Sequence, residues 1–234
     1  MRRAELDLCR VFACVSVLII HTSAEYFWAV PLTSVDFAFI NFLASSVRGS
    51  VPLFFMLSGV LFLTRENMDI KHSIIPHSIR LIGLYLFWSF IYACGKFSLG
   101  QIDRTSNLLS IIVESHYHLW FLPAMALCYL FLPPVYYALH GKLLEFKYFL
   151  VLFFIWGILF KAFEISPFPV PNLLRFSQSF SLEHLSYLGY AVWGAWLDTK
   201  SMSRKIRWIA LASFLFISIT ATIENQLFSF HTKI

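Results

Sequence analysis

The chain has 234 residues, of which 59% are hydrophobic and 13% are charged, whereas about 25% of a typical soluble domain is charged. Aromatic side chains make up 18%, a composition typical of helices that face lipid and of the belts at membrane interfaces. The net charge of +5 could indicate a nucleic-acid partner, but the Lys and Arg residues lie dispersed in short loops between apolar runs. This dispersal argues against nucleic-acid binding.

Apolar segments that succeed one another along the chain predict an all-α fold, a polytopic bundle of about seven transmembrane helices. We expect them to form a single membrane-embedded domain over residues 1–234, because no internal repeat or low-complexity linker divides the chain. The segments cover about residues 8–30, 37–63, 80–97, 118–139, 148–163, 181–197 and 207–223.

The beginning of the chain imitates a secretory signal peptide, because Arg2 and Arg3 precede an apolar stretch that ends near Ser23. Arg10 interrupts that stretch, and several more apolar segments come after it. The pattern therefore favours an uncleaved first transmembrane helix.

The second apolar segment is long enough to contain a broken or re-entrant portion. Gly49, Pro52 and Gly59 are the residues that we expect to supply the breaks.

The distribution of basic residues predicts the orientation of the chain in the membrane. Arg65 and Lys71 fall in a loop assigned to the inside, and such loops hold most of the Lys and Arg residues. Cytoplasmic loops are enriched in these residues, so we expect a cytoplasmic N-terminus.

Ionisable residues inside apolar segments are functional candidates, since charge in a bilayer is energetically costly. Arg10 and His21 lie eleven residues apart, which places them on nearly the same helical face and separates them by about 16 Å. Asp7 precedes Arg10 by three residues and is close enough to pair with it. Alternatively, Arg10 reaches out to lipid phosphates and His21 is an interfacial histidine.

A second candidate is Arg48, which begins an apolar run and has no acidic neighbour in sequence. Its guanidinium suits a phosphate or carboxylate ligand, although a salt bridge to another helix would serve equally. Further along this run, Ser58 precedes Gly59 without the frame of a nucleophile elbow, and small residues there are typical of close helix packing.

A third candidate is the run His116-Tyr117-His118-Leu119-Trp120, although aromatic and His clusters at this depth are commonly belt residues. Two His residues that are two positions apart point in different directions on a helix, so we expect no metal site.

The four cysteines form no CxxC pair, and we interpret them as small buried residues.

Four blocks of the sequence together resemble the acyltransferase-3 family of bacterial integral membrane O-acyltransferases. They are Asp7-x-x-Arg10, His21 at the end of the first apolar run, Arg48 leading into Pro52–Gly59, and Tyr117–Phe121. The order and spacing fit, the resemblance extends over about residues 4–135, and it is closest to the enterobacterial-common-antigen O-acetyltransferase branch.

The resemblance implies an enzyme of the bacterial inner membrane that takes an acetyl group from cytoplasmic acetyl-CoA. The acceptor would be a hydroxyl of a cell-surface polysaccharide or of its lipid-linked precursor, and no cofactor would be bound permanently. By the same resemblance His21 is catalytic and Arg10 and Arg48 are functional arginines. Imidazole suits the role of general base, and we expect the arginines to bind the donor or to stabilise developing negative charge.

Other residues are expected to support this site. Glu25, four positions after His21, could orient the imidazole ring, and Ser58, His118 and Trp120 belong to the blocks that resemble the family.

Two other functions stay open at the level of sequence. Buried Arg and His residues also mark the substrate pathways of transporters and flippases. In addition, members of the family usually carry more helices than this chain, so an inactive, C-terminally truncated relative is the second alternative.

Overall fold

A computed structural model of the protein describes most of the first 155 residues and a smaller share of the remaining chain. The described residues are 3–26, 30–31, 33–100, 117–139, 147–155, 184, 186–198, 205, 208, 212, 219 and 223. Every regular element within these ranges is helical, in agreement with the predicted all-α fold.

The helices succeed one another in the order α1 to α6. They are α1 (Ala4–Tyr26), α2 (Val35–Val47), α3 (Ser50–Leu63), a π-helical turn (Ile70–Ile74), α4 (Ile75–Ser98), a 3-10 turn (Tyr117–Trp120), α5 (Phe121–Leu139) and α6 (Tyr187–Asp198). Residues 147–155 are helical as well, as are the single positions described after residue 198.

Four stretches within the described residues are long and apolar enough to cross a membrane. They are Ala4–Ala24, Val35–Leu63, Ile70–Ser98 and His118–Leu139. The shortest has 21 residues and is therefore about 31 Å long, close to the thickness of the hydrocarbon core. The first four predicted segments are thus confirmed as helical. The described parts of the fifth and sixth segments, residues 148–155 and 187–197, are helical too, whereas the seventh falls largely outside the described residues.

Large apolar side chains remain exposed along these helices. Phe12 and Leu18 of α1 are 60% and 65% exposed, and Phe87 and Phe90 of α4 are exposed as well. Apolar surface of this extent is unfavourable in water and is suited to lipid.

The interpretation of the cysteines as buried was wrong for Cys14 and Cys94, which also lie on exposed faces.

The second span is broken between Val47 and Ser50, as the sequence predicted for this region. Pro52 cannot donate a backbone hydrogen bond to Arg48, and Gly49 is a weak helix former. Proline is tolerated near the start of a helix, so the chain leaves one helix before Pro52 and begins another that contains it in the first turn.

Gly59 was predicted to be a third break, and this prediction was wrong because it lies inside α3. A Cβ atom at this position would meet the backbone carbonyl of Ala191 in α6. Gly59 therefore allows two helix backbones to approach closely, as the small residues there also suggested.

The π-helical turn Ile70–Ile74 precedes α4 and lies at one end of a membrane-spanning stretch. Asp69 caps it by accepting the backbone N–H of His72 at 2.9 Å, and its carboxylate also lies 2.9 Å from the imidazole of His72. The backbone hydrogen bond favours the charged carboxylate and lowers the pKa of Asp69 below its usual value.

By their contacts the residues fall into two compact units, and the prediction of a single domain stays a prediction. The first unit comprises Met1–Leu57 with Asp198–Ile234, and the second comprises Ser58–Leu197. In the first, α1 packs against α2, and Arg3 donates two hydrogen bonds to the carboxylate of Asp198 at 2.7 and 2.8 Å. In the second, α4 packs against α5.

Gly59 and Gly83 provide a matched test of the close approach at Ala191. A Cβ at Gly83 would meet nothing within 4 Å, whereas at Gly59 it would collide with backbone. We expect Gly83→Ala to be neutral or stabilising by up to about 1 kcal/mol through helix propensity. Gly59→Ala should destabilise the protein by about 1–3 kcal/mol through overpacking. Thermal unfolding of the purified variants in detergent measures both effects, and equal melting temperatures would contradict the proposed role of Gly59.

Candidate active site

Asp7 and Arg10 form the ion pair that their spacing predicted. Arg10 Nη1 lies 2.6 Å from Asp7 Oδ1, and the two side chains are 40% and 29% exposed. An open groove of about 480 Å³ lies beside the pair and is lined by Asp7, Ala4, Leu8 and Val11 among the described residues. A guanidinium carries five N–H donors, so Arg10 can bind an additional anion while it holds Asp7.

His21 is half-buried on the same face of α1 as Arg10. The fully buried side of the helix carries Ala13, Ser16 and Ser23, whereas Leu18 is exposed. His21 therefore lies at the border between the packed side and the exposed side of α1. The side chain of Glu25 lies outside the described residues, so its proposed orienting role stays a prediction.

Arg48 is the C-cap of α2, which ends at Val47, and it is exposed. Its backbone N–H donates to Ser45 O at 3.4 Å. Within the described ranges, the guanidinium forms no ion pair with a carboxylate. The alternative of a salt bridge to another helix therefore finds no support in this part of the chain.

Ser58 lies buried between α3 and α5. Its hydroxyl is 3.6 Å from Met125 Sδ and 3.3 Å from the Tyr129 hydroxyl. With 5% exposure it is out of reach of a substrate in this conformation. The family-like block at Ser58-Gly59 thus holds helices together.

His118 hydrogen bonds with a residue that the sequence analysis did not single out. The hydroxyl of Tyr92 in α4 lies 3.0 Å from His118 Nε2, and the two rings meet edge to face at 5.2 Å. The two residues are far apart in sequence, and Tyr92 sits in an apolar stretch where a tyrosine is usually a packing residue. The bond fixes the orientation of the half-buried His118 ring, since the phenol hydroxyl can either donate to Nε2 or accept from it.

Trp120 takes part in a stack of aromatic rings. Its ring lies 5.4 Å from that of His184 at an interplanar angle of 24°, and 5.5 Å from that of Tyr187. His184 is 3% exposed, although the sequence shows it only as a histidine at the edge of a segment without ligand spacing. Trp120 therefore packs against two other rings of the protein, whereas an isolated belt residue would contact mainly lipid headgroups.

The structure distributes the candidates over the two units. Asp7, Arg10, His21 and Arg48 belong to the first, whereas Ser58, His118 and Trp120 belong to the second. No cluster of three or more potential metal ligands occurs among the described residues.

Four helical stretches that are long and apolar enough to cross a membrane indicate a polytopic membrane protein. The family model described as an acyltransferase domain matches residues 3–233. The chain therefore belongs to the acyltransferase-3 family.

One curated relative is an amino-acid racemase of Enterococcus faecalis, 26% identical over 129 residues. The match covers 51% of this chain and 17% of the relative, so the chain spans a small part of that protein. No solved structure matches the chain significantly.

The contact between Tyr92 and His118 can be tested by a double-mutant cycle. Removing the phenol hydroxyl with Tyr92→Phe should destabilise the protein by about 0.5–1.5 kcal/mol in the presence of His118. The effect should shrink in the background of His118→Ala, because both changes remove the same bond. Tyr137→Phe is the control, since Tyr137 is 62% exposed on α5. Strictly additive changes in the free energy of unfolding would show that the bond contributes nothing.

Proposed function

We propose that this membrane acyltransferase moves an acetyl group from cytoplasmic acetyl-CoA to a hydroxyl of a cell-surface polysaccharide or of its lipid-linked precursor. Its location would be the bacterial inner membrane, with the N-terminus in the cytoplasm. The observation that carries the proposal is the face of α1, which presents the Asp7–Arg10 ion pair and, about 16 Å further along, His21.

The chemistry begins with a sugar hydroxyl, which is a poor nucleophile at neutral pH. In the proposed step, neutral His21 accepts the hydroxyl proton while the oxygen attacks the thioester carbonyl. The bond between the carbonyl carbon and sulfur then breaks, the coenzyme A thiolate leaves, and the proton on His21 is transferred to it. The products are an O-acetyl ester and free coenzyme A.

The proposed position of the donor is set by the polarity of α1. A cytoplasmic N-terminus places Arg10 near the inner surface, where it can bind an anionic group of coenzyme A. The flexible pantetheine arm would then run outward along the helix and bring the thioester to His21. This arrangement would carry the acetyl group through much of the bilayer before transfer.

A transporter or flippase was the main alternative from another class of protein. Membership of the acyltransferase-3 family favours group transfer over transport. The racemase name of the E. faecalis relative describes a protein of which this chain matches 17%, and we propose no racemase activity from it.

His21→Ala tests the proposed base. We expect transfer of radiolabelled acetyl groups from acetyl-CoA into glycan to fall by about 10²–10⁴-fold in membranes that contain the variant. The variant removes a polar group from an apolar helix, so membrane insertion should be unimpaired.

His72→Ala is the matched control, because His72 is an exposed histidine outside the candidate site that pairs with Asp69. It should retain the transfer rate of the wild type. Near-normal acetylation by His21→Ala at equal amounts of protein would remove the general base from the mechanism.

A further inference from the structure

Among the described residues of the second unit, the aromatic rings of Trp120, His184, Tyr187 and Tyr190 form a row, called the aromatic row below. Trp120 and His184 stack at 5.4 Å between ring centroids, and His184 and Tyr187 stack at 6.0 Å. Tyr187 and Tyr190 follow at 6.1 Å with an interplanar angle of 31°. Nearly parallel rings with centroids this far apart overlap only in part. The tryptophan and the two tyrosines accordingly remain half-buried, with part of each ring uncovered.

The aromatic row differs from a belt of lipid-facing residues in the burial of its histidine. His184 is 3% exposed, so its polar ring lies against other rings instead of reaching lipid headgroups. Trp88 and Trp193, by contrast, are 43% and 48% exposed. A buried imidazole restricts the rings stacked on it, because its nitrogens must keep their hydrogen-bond partners. The aromatic row is therefore preorganised, which lowers the entropic cost of binding a ligand.

A hydrogen-bonded pair lies next to the aromatic row in the chain. The Tyr92 hydroxyl is 3.0 Å from His118 Nε2, and His118 shares a 3-10 turn with Trp120. Both members of the pair are half-buried. Aromatic faces are thus combined with phenol and imidazole groups. This combination matches a sugar ring, which has apolar C–H faces and a rim of hydroxyls, whereas a lipid chain has no use for the polar groups.

The aromatic row and the hydrogen-bonded pair lie at one end of the second unit. Tyr92 is about 9 Å along α4 from its last residue, Ser98. Trp120 ends the turn that precedes α5, and Tyr187 begins α6. Three membrane-spanning stretches precede this end in the chain, the last of them ending at Ser98. With the cytoplasmic N-terminus of the proposed function, this end faces outside, where a cell-surface polysaccharide lies.

We propose that this end of the second unit binds a sugar ring of the acceptor. The apolar face of the sugar packs on the uncovered part of the aromatic row, and Tyr92 and His118 form hydrogen bonds with its hydroxyls. The site favours sugars whose hydroxyls are mostly equatorial, because an axial hydroxyl interrupts the apolar face. This proposal rests on the proposed function, which supplies a glycan as the acceptor, and it assigns these residues to binding rather than to catalysis.

Glycan binding by the full chain in phosphatidylcholine nanodiscs tests the site. The probe is the surface polysaccharide of the bacterium that encodes the chain, treated with mild alkali to remove its O-acetyl groups. Trp120→Ala should weaken binding by about three- to tenfold, the loss of one stacked ring. Trp120→Phe keeps a smaller ring, so it should weaken binding less and should fold even if Trp120→Ala does not. Tyr190→Leu removes the ring at the other end of the aromatic row and should also weaken binding.

Trp193→Phe is the matched control for Trp120→Phe, because Trp193 also belongs to the second unit but is 48% exposed and outside the aromatic row. It should bind the polysaccharide as the wild type does. The proposal would be overturned if the wild type bound no polysaccharide, or if Trp120→Phe and Tyr190→Leu both bound it with wild-type affinity. The rings would then be packing residues of the membrane interface.

The kinetics of acetyl transfer on the same samples separate this proposal from the proposed function. Trp120→Phe should raise the KM for the polysaccharide and leave the KM for acetyl-CoA unchanged. Polysaccharide binding that depends on the aromatic row would support the site even without transfer, and the proposed function alone would then fail. Transfer with an unchanged KM for the polysaccharide in Trp120→Phe and Tyr190→Leu would refute the site alone.

Discussion

The cost of placing charge in hydrocarbon is the constraint that governs the polar residues of this protein. Arg10 satisfies it through the ion pair with Asp7, at a position near one end of α1. Arg48 lies in the middle of a span and has no carboxylate partner in the described ranges. An anionic donor bound within the bilayer would provide that partner. An arginine that is energetically costly in an apolar helix can therefore serve to bind the donor.

The broken second span is governed by the same constraint. A continuous helix would satisfy its backbone hydrogen bonds internally, and Gly49 with Pro52 prevents this at a depth where water is scarce. The exposed Arg48, the buried residues Ser45 and Ser50 and the start of α3 then lie next to one another in the chain. Close helix contacts elsewhere, such as that of Gly59 with Ala191, need no such ligand because they involve only packing.

Local features of the structure could be predicted from the sequence, whereas contacts between distant residues could not. The Asp7–Arg10 pair results from a spacing of three residues on a helix, and the break results from Gly49 and Pro52. Gly59 was misinterpreted because glycine in a membrane helix can permit close packing without ending the helix. The bond between Tyr92 and His118 and the stack of Trp120 on His184 depend on how helices pack, and no local pattern encodes them.

The central claim is that the donor binds from the cytoplasmic side and that its acetyl group travels along α1 from Arg10 toward His21. The most direct measurement uses sealed membrane vesicles and radiolabelled acetyl-CoA, which does not cross the bilayer. We expect inverted vesicles, with their cytoplasmic face outward, to incorporate acetyl groups into glycan, whereas right-side-out vesicles should do so only after permeabilisation. Incorporation by intact right-side-out vesicles and none by inverted ones would contradict this claim.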